Sequence, residues 1–155
     1  MKERNSPIQK GETAPDFTLR DHNGEEFKLS DSRGKKVLLS FHPLAWTDIC
    51  ARQMQSLEAN ADTFASLNTV AVGVSVDSIP SKKAWAESLE IKKTRLLSDF
   101  WPHGEVIGLY GLFREKDGFS ERANIILDEN GKVIFSKVYP VSELPDIREV
   151  IEALK

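Results

Sequence analysis

The chain has 155 residues, 40% of them hydrophobic and 29% charged, with a formal net charge of −3 at neutral pH. That balance fits one soluble globular domain, 1–155. With no basic excess, neither a nucleic acid nor an anionic membrane is expected as a partner. No apolar run approaches the ~20 residues of a membrane span. The opening MKERNSPIQKGE lacks the apolar centre of a signal peptide, so a cytoplasmic location is expected. A single cysteine, Cys50, excludes an intrachain disulfide and the frameworks that staple small secreted domains.

Residues 1–12 are polar and read as loose. Asp16–Leu19 and Glu25–Leu29 flank Asp21-His22-Asn23-Gly24, a strong turn signal, and form an N-terminal β-hairpin. Ser30–Gly34 is a polar connection. Lys36–His42 is a buried strand whose Val37, Leu39 and Phe41 oppose Leu38 and Ser40, so both faces are covered. Pro43 ends it. Asp48–Leu67 is the longest predicted helix, with Met54, Leu57, Ala61 and Phe64 on one stripe. Val70–Val76 is a second buried strand. Strand, helix and strand make a right-handed crossover unit with parallel strands. Pro80 opens a helix to about Leu89. Arg95–Leu97 is a short strand, and His103–Tyr110 a short helix closed by Gly111. Arg122–Leu127 and Val133–Val138 flank the turn Asp128-Glu129-Asn130-Gly131. Glu143–Leu154 is a final amphipathic helix with Leu144, Ile147, Val150, Ile151 and Leu154 inward. The whole is an α/β sheet covered by helices.

In open α/β sheets, ligands bind beyond the carboxyl ends of the parallel strands, where the loop Pro43–Trp46 lies. Thr47 is placed to cap the following helix, its hydroxyl accepting a bond from a first-turn amide. Cys50 is then the third helical residue, close to unpaired amides and the positive end of the helix dipole. Such a position lowers a cysteine's pKa below the free value of ~8.5, and the thiolate is the attacking species. Asp48 in the same turn opposes this, so a cation must offset it. Arg52 lies two residues along the helix and points elsewhere. If strand 122–127 runs antiparallel to strand 36–42, Arg122 reaches the same sheet end as Pro43 and Cys50. A second reading stands beside this one. Cys50 is four residues before Met54 on the apolar stripe, and a core thiol fits there too, with Thr47 only a cap and Arg122 a surface residue.

Several segments resemble the peroxiredoxins, the alkyl hydroperoxide reductase/thiol-specific antioxidant family. Pro43-x-x-x-Thr47-x-x-Cys50 is similar to the family's peroxidatic motif, and Phe41–Thr47 to its active-site loop. Ala14–Phe17 resembles the family's opening segment; Gly73–Ser78 and Trp85 resemble its next strand and helix. Leu97–Gly104 with Tyr110–Phe113 resembles its one-cysteine alkyl hydroperoxide reductase E branch. Arg122-Ala123, before Ile125–Asp128, stands where the family carries an active-site arginine.

The resemblance implies a thioredoxin-like fold: a mixed central sheet flanked by helices, with an N-terminal β-hairpin. It implies a thiol-dependent peroxidase in which Cys50 attacks a peroxide and becomes a sulfenic acid. Arg122 then favours the thiolate and binds the peroxide oxygens, Thr47 sets its hydroxyl on thiolate and substrate, and Pro43 shields the site. No metal or organic cofactor is implied. A homodimer is, with the Trp46 and Trp101 segments contributing to its contact. With no second cysteine, the sulfenic acid needs an external thiol reductant, a small thiol or a redox protein.

Gln53 stands where many relatives have Glu, and modest effects are expected. Trp46 replaces a common Phe, with similar packing expected. His42 stands where an aromatic residue is frequent, either as a protonated helper of the thiolate or as a packed strand-end residue. His22, His42 and His103 lack ligand spacing. Gly108–Gly111 lacks the context of a dinucleotide fingerprint. Trp85 and Trp101 read as packing residues, and Lys82-Lys83 and Lys92-Lys93 as solvated helix faces. Two other functions keep Cys50 central: a thiol–disulfide oxidoreductase, weakened by the missing Cys-x-x-Cys pair, and a redox sensor.

Overall fold

Strand β3 (Lys36–Phe41) is buried on both faces, and the fold is layered about it. Val37, Leu39 and Phe41 enter one core, and Leu38 enters the other. This is the period-two alternation of a central strand covered on both sides. The computed structural model describes residues 4–155.

Ahead of β3 come β1 (Thr18–Asp21) and β2 (Glu26–Lys28). After it follow α1 (Asp48–Ala59), α2 (Ala61–Ser66), β4 (Thr69–Ser75), α3 (Ile79–Ser88), β5 (Arg95–Ser98) and α4 (Glu105–Leu109). The chain closes with β6 (Phe113–Arg114), β7 (Phe119–Ser120), β8 (Arg122–Leu127), β9 (Val133–Tyr139) and α5 (Ile147–Leu154). Seven strands form one sheet in the order β2-β1-β5-β4-β3-β8-β9. Strands β3, β4 and β5 are parallel, and β8 returns antiparallel beside β3 with Phe41 opposite Ala123. The expected hairpin forms and joins the sheet, because β1 pairs with β5.

One core packs Phe17, Phe41, Val74, Tyr110 and Ile125 on one side of the sheet; the other packs Leu38, Cys50, Met54, Trp85 and Leu154 on the opposite side. Each fully buried aliphatic side chain contributes roughly 1.5–3 kcal/mol. Gly73 in β4 lets α1 approach, since a Cβ there would meet the Met54 sulfur.

Several boundaries differ from expectation. The helix read over Asp48–Leu67 breaks at Asn60, whose side chain donates to its own helix at Ser56 O, 2.8 Å away. A side-chain amide that competes for backbone carbonyls favours such a break. The last helix begins at Ile147, not Glu143. Pro145 holds its predecessor out of the helical region, and Asp146 caps the helix by accepting from the Arg148 amide at 3.0 Å. Leu144, expected inward, is therefore exposed. The helix read over His103–Tyr110 shortens to Glu105–Leu109, and the two-residue strands β6 and β7 carried no readable period. Of the residues 1–12 expected to be loose, 1–3 lie outside the described residues. The rest is anchored at particular points, although Asn5, Ser6, Gln9, Lys10 and Gly11 are exposed: Ile8 is fully buried, its amide donates to Tyr110 O at 3.0 Å, and Arg4 pairs with Glu12.

Candidate active site

The first helical turn after β3 carries Cys50. The Ala51 amide donates back to Thr47 O at 2.9 Å and is the first in α1 to do so. The amides of Asp48, Ile49 and Cys50 therefore have no acceptor within the helix. Cys50 is only 1% exposed, at the floor of a cavity of about 270 Å³ lined by Pro43, Thr47, Phe119, Arg122 and Val141.

Arg122 opens β8, and the antiparallel pairing of β8 with β3 brings it to the same end of the sheet as Pro43. Its Nη1 donates to Cys50 Sγ at 3.3 Å and to Gln53 Oε1 at 2.7 Å. Nε and Nη2 both donate to Val141 O, at 3.1 and 2.7 Å. The guanidinium is thus held at two points and aimed at the sulfur, the kind of fixed fork a planar donor allows. The arrangement sets a positive charge directly against the sulfur.

Gln53 holds the arginine in turn. Its Nε2 donates to Ser40 Oγ at 2.7 Å and to Phe41 O at 3.1 Å, and Ser40 Oγ donates to Asn124 Oδ1 at 2.7 Å. Ser40 and Asn124 were not singled out from the sequence. The signal was a serine and an asparagine in two strands that are otherwise apolar at their centres.

The loop over the sulfur is fixed on its other side. The Ala45 amide donates to Asp77 Oδ2 at 2.8 Å, and the Trp46 indole donates to Ser81 Oγ at 3.1 Å. Trp46 has φ 68°, a left-handed conformation that costs a non-glycine residue about 1–3 kcal/mol and persists only where its surroundings hold it. It is 56% exposed, so it does not take the packing role expected of it, and neither does Trp101 at 83%. Trp85 does pack, buried beside His42.

Three electrostatic expectations are corrected. Thr47 makes no side-chain cap bond; its hydroxyl donates to Leu44 O at 2.7 Å, because the backward turn of the loop presents that carbonyl. Asp48 is exposed and pairs with Arg52 at 3.4 Å, so the offsetting cation for its charge is Arg52, one turn along the same helix. Lys82 is fully buried, not solvated: it shares a helix face with Trp85 and Ala86, and Nζ donates to Ser75 Oγ at 2.6 Å. His42 is also fully buried. Burial, reinforced by the charge of Lys82, holds its pKa well below the ordinary value, so the neutral ring stands there and not a protonated helper.

One cysteine at a strand–helix junction, its sulfur accepting from a buried guanidinium, is an arrangement suited to thiol chemistry. Comparisons with known proteins agree. Residues 10–136 match the model of the AhpC/TSA family. The chain is 40% identical over 145 residues to alkyl hydroperoxide reductase E of Mycobacterium tuberculosis, covering 93% of this chain and 94% of that one. It is 33% identical to peroxiredoxin-1 of Gallus gallus, covering 94% and 75% of the two chains. The crystal structure of reduced 2-Cys peroxiredoxin from Plasmodium vivax superposes with a TM-score of 0.87 at 27% identity, over 96% of this chain and 81% of that one. The chain belongs to the AhpC/TSA family, the peroxiredoxins, and is a thiol-dependent peroxidase with their thioredoxin-like fold.

Proposed function

We propose that Cys50 is the peroxide-reducing sulfur, with Arg122, Thr47 and Pro43 completing the site. The observation that carries this reading is the 3.3 Å contact from Arg122 Nη1 to Cys50 Sγ at the floor of the cavity. The thiolate attacks one peroxide oxygen. An S–O bond forms, the O–O bond breaks, and two electrons pass from sulfur to the substrate. The departing oxygen leaves as alkoxide or hydroxide and takes up a proton, giving alcohol or water and a Cys50 sulfenic acid. Arg122 stabilises the charge that moves onto oxygen in this step. With its own proton on Leu44 O, Thr47 Oγ1 offers lone pairs to the hydroperoxide O–H. Pro43 and Phe119 keep the cavity apolar and restrict water. Hydrogen peroxide and organic hydroperoxides both fit an open, apolar-walled site.

Turnover then needs an external thiol. It attacks the sulfenic sulfur, expels water and leaves a mixed disulfide that a second thiol resolves. Such chemistry belongs in a compartment that keeps thiols reduced, such as the cytoplasm. We place the working unit as a single domain in a homodimer. Trp46, Phe100 and Trp101 are exposed around the start of α3, where Phe100 and Trp101 line a groove with Ile79 and Pro80. A second copy of the chain would cover this apolar face, and sedimentation of the reduced protein checks it.

The test of the chemistry is direct. Reduced protein receives one equivalent of hydrogen peroxide with a sulfenic-acid trap, and intact mass is read. The reading predicts one trap adduct on Cys50 and none on Cys50→Ser; an unlabelled wild type overturns it.

A further inference from the structure

Behind the active-site loop lies a second buried polar cluster that the peroxide chemistry does not use. Lys82 of α3 is fully buried. Its Nζ donates to Ser75 Oγ at 2.6 Å and lies 3.5 Å from His42 Nε2. Ser75 Oγ donates to Asp77 Oδ2 at 2.6 Å, and that same oxygen accepts the Ala45 amide at 2.8 Å. A buried cation is costly, and an apolar side chain would fill the same space without that cost. The cluster instead spans from α3, through the end of β4, to the loop between β3 and α1.

We propose that Lys82 is a positioning residue for the peroxide reaction, acting through Ser75 and Asp77 to fix the Ala45 amide and with it the Pro43–Thr47 loop above Cys50. The inference rests on the peroxidase reading given above. The relay has a direction. An ammonium has only protons to give, so Ser75 accepts from Lys82 and must donate its own proton to Asp77. A neutral amine has a lone pair. Once Lys82 releases a proton to solvent, the Ser75 hydroxyl can turn towards that lone pair, and Asp77 loses its donor. The loop is then held by fewer bonds.

The surroundings support a change near neutrality. Burial brings Lys82 down to about 7, against the opposing pull of Asp77, Cys50 and Asp99. The groups facing it are His42 beside β3, Cys50 of α1, Asp77 after β4, Asp99 after β5 and, farther off, His22 after β1. His42 is neutral there and accepts rather than competes. Asp99, itself pushed up to about 7 by burial, accepts the Ile107 amide at 2.8 Å and makes no bond to the lysine.

The test follows the Ala45 amide by NMR in the reduced protein, alongside the rate of Cys50 oxidation by hydrogen peroxide, from about pH 6 to about pH 8.5. In wild type the Ala45 resonance shifts with a midpoint near 7, and the rate carries a fall of the same midpoint as Lys82 loses its proton. Lys82→Met removes both the shift and that fall, and reacts about fivefold more slowly at the acid end, within the range that misplacement of a site costs. Asp77→Ala keeps Lys82 but removes the oxygen that accepts from both Ser75 and Ala45, and serves if Lys82→Met does not fold. A merely structural lysine would leave the midpoint where it was. An Ala45 titration and a rate profile unchanged in both variants overturn the relay. If wild type shows the Ala45 titration but no reaction with peroxide, the relay stands and the peroxidase reading fails.

Discussion

Two buried cations flank the segment that carries Cys50, and the protein treats them differently. Arg122 is 3% exposed and meets only neutral acceptors and the sulfur: Val141 O, Gln53 Oε1 and Cys50 Sγ. A guanidinium keeps its proton when buried, so the site gains a permanent positive charge. Lys82 is fully buried against a serine hydroxyl and a histidine nitrogen, and burial brings it down to about 7. An ammonium yields its proton where a guanidinium does not. The fold thus places a fixed charge beside the Cys50 sulfur and a buried ammonium with a lowered pKa behind the loop; on the proposed reading the first stabilises the reaction and the second positions it.

Removing the fixed charge should have the largest effect. Arg122→Met leaves the sulfur without its donor, and the rate of peroxide attack measured by stopped-flow should fall by about 10²–10³. If the loss is under threefold, Arg122 is a packing residue and the contrast with Lys82 collapses. Gln53→Met removes the acceptor that holds the guanidinium, leaving a buried donor unsatisfied. It should cost about 1–3 kcal/mol in denaturant unfolding.

Lys82→Met should act on stability in the opposite sense, and with a pH signature. The folded-state pKa of Lys82 lies near 7 and its unfolded value near ~10.4, so between them the unfolded chain holds more protons. Wild-type stability therefore rises with pH across that window, and the penalty is full below the folded value. The variant should be the more stable at pH near 7, with its advantage shrinking towards pH ~10. An advantage that is constant with pH would mean that Lys82 does not titrate there. The smallest effect belongs to the exposed pair. Asp48→Asn breaks the 3.4 Å contact with Arg52 and should change stability by less than about 0.5 kcal/mol, because solvent screens such a pair. The oxidation rate of Cys50 should stay within about twofold of wild type in that variant.

The contrast also marks what the sequence could carry. Arg122 was legible because register is a property of pattern: alternation in Lys36–Phe41 and Arg122–Leu127, with a turn at Asp128–Gly131, places it at the right sheet end. Lys82 was misread because two adjacent lysines look solvated. The spacing Lys82, Trp85, Ala86 put it on the buried face, but residue type outweighed period. A threonine hydroxyl can serve an amide ahead of it or a carbonyl behind it, and only the path of the loop decides that Thr47 donates to Leu44 O. The break at Asn60 depends on one side chain bonding its own helix, which no hydrophobic period records.

The central claim is that this fold activates Cys50 towards peroxide. The most direct measurement compares the second-order rate of Cys50 oxidation by hydrogen peroxide in the folded protein with that of the same chain unfolded in denaturant, at one pH. The folded thiol should react at least about 10³-fold faster, the scale expected when an oriented donor and a fixed approach act together. Equal rates in the two states would contradict the account, for the fold would then contribute nothing to the chemistry.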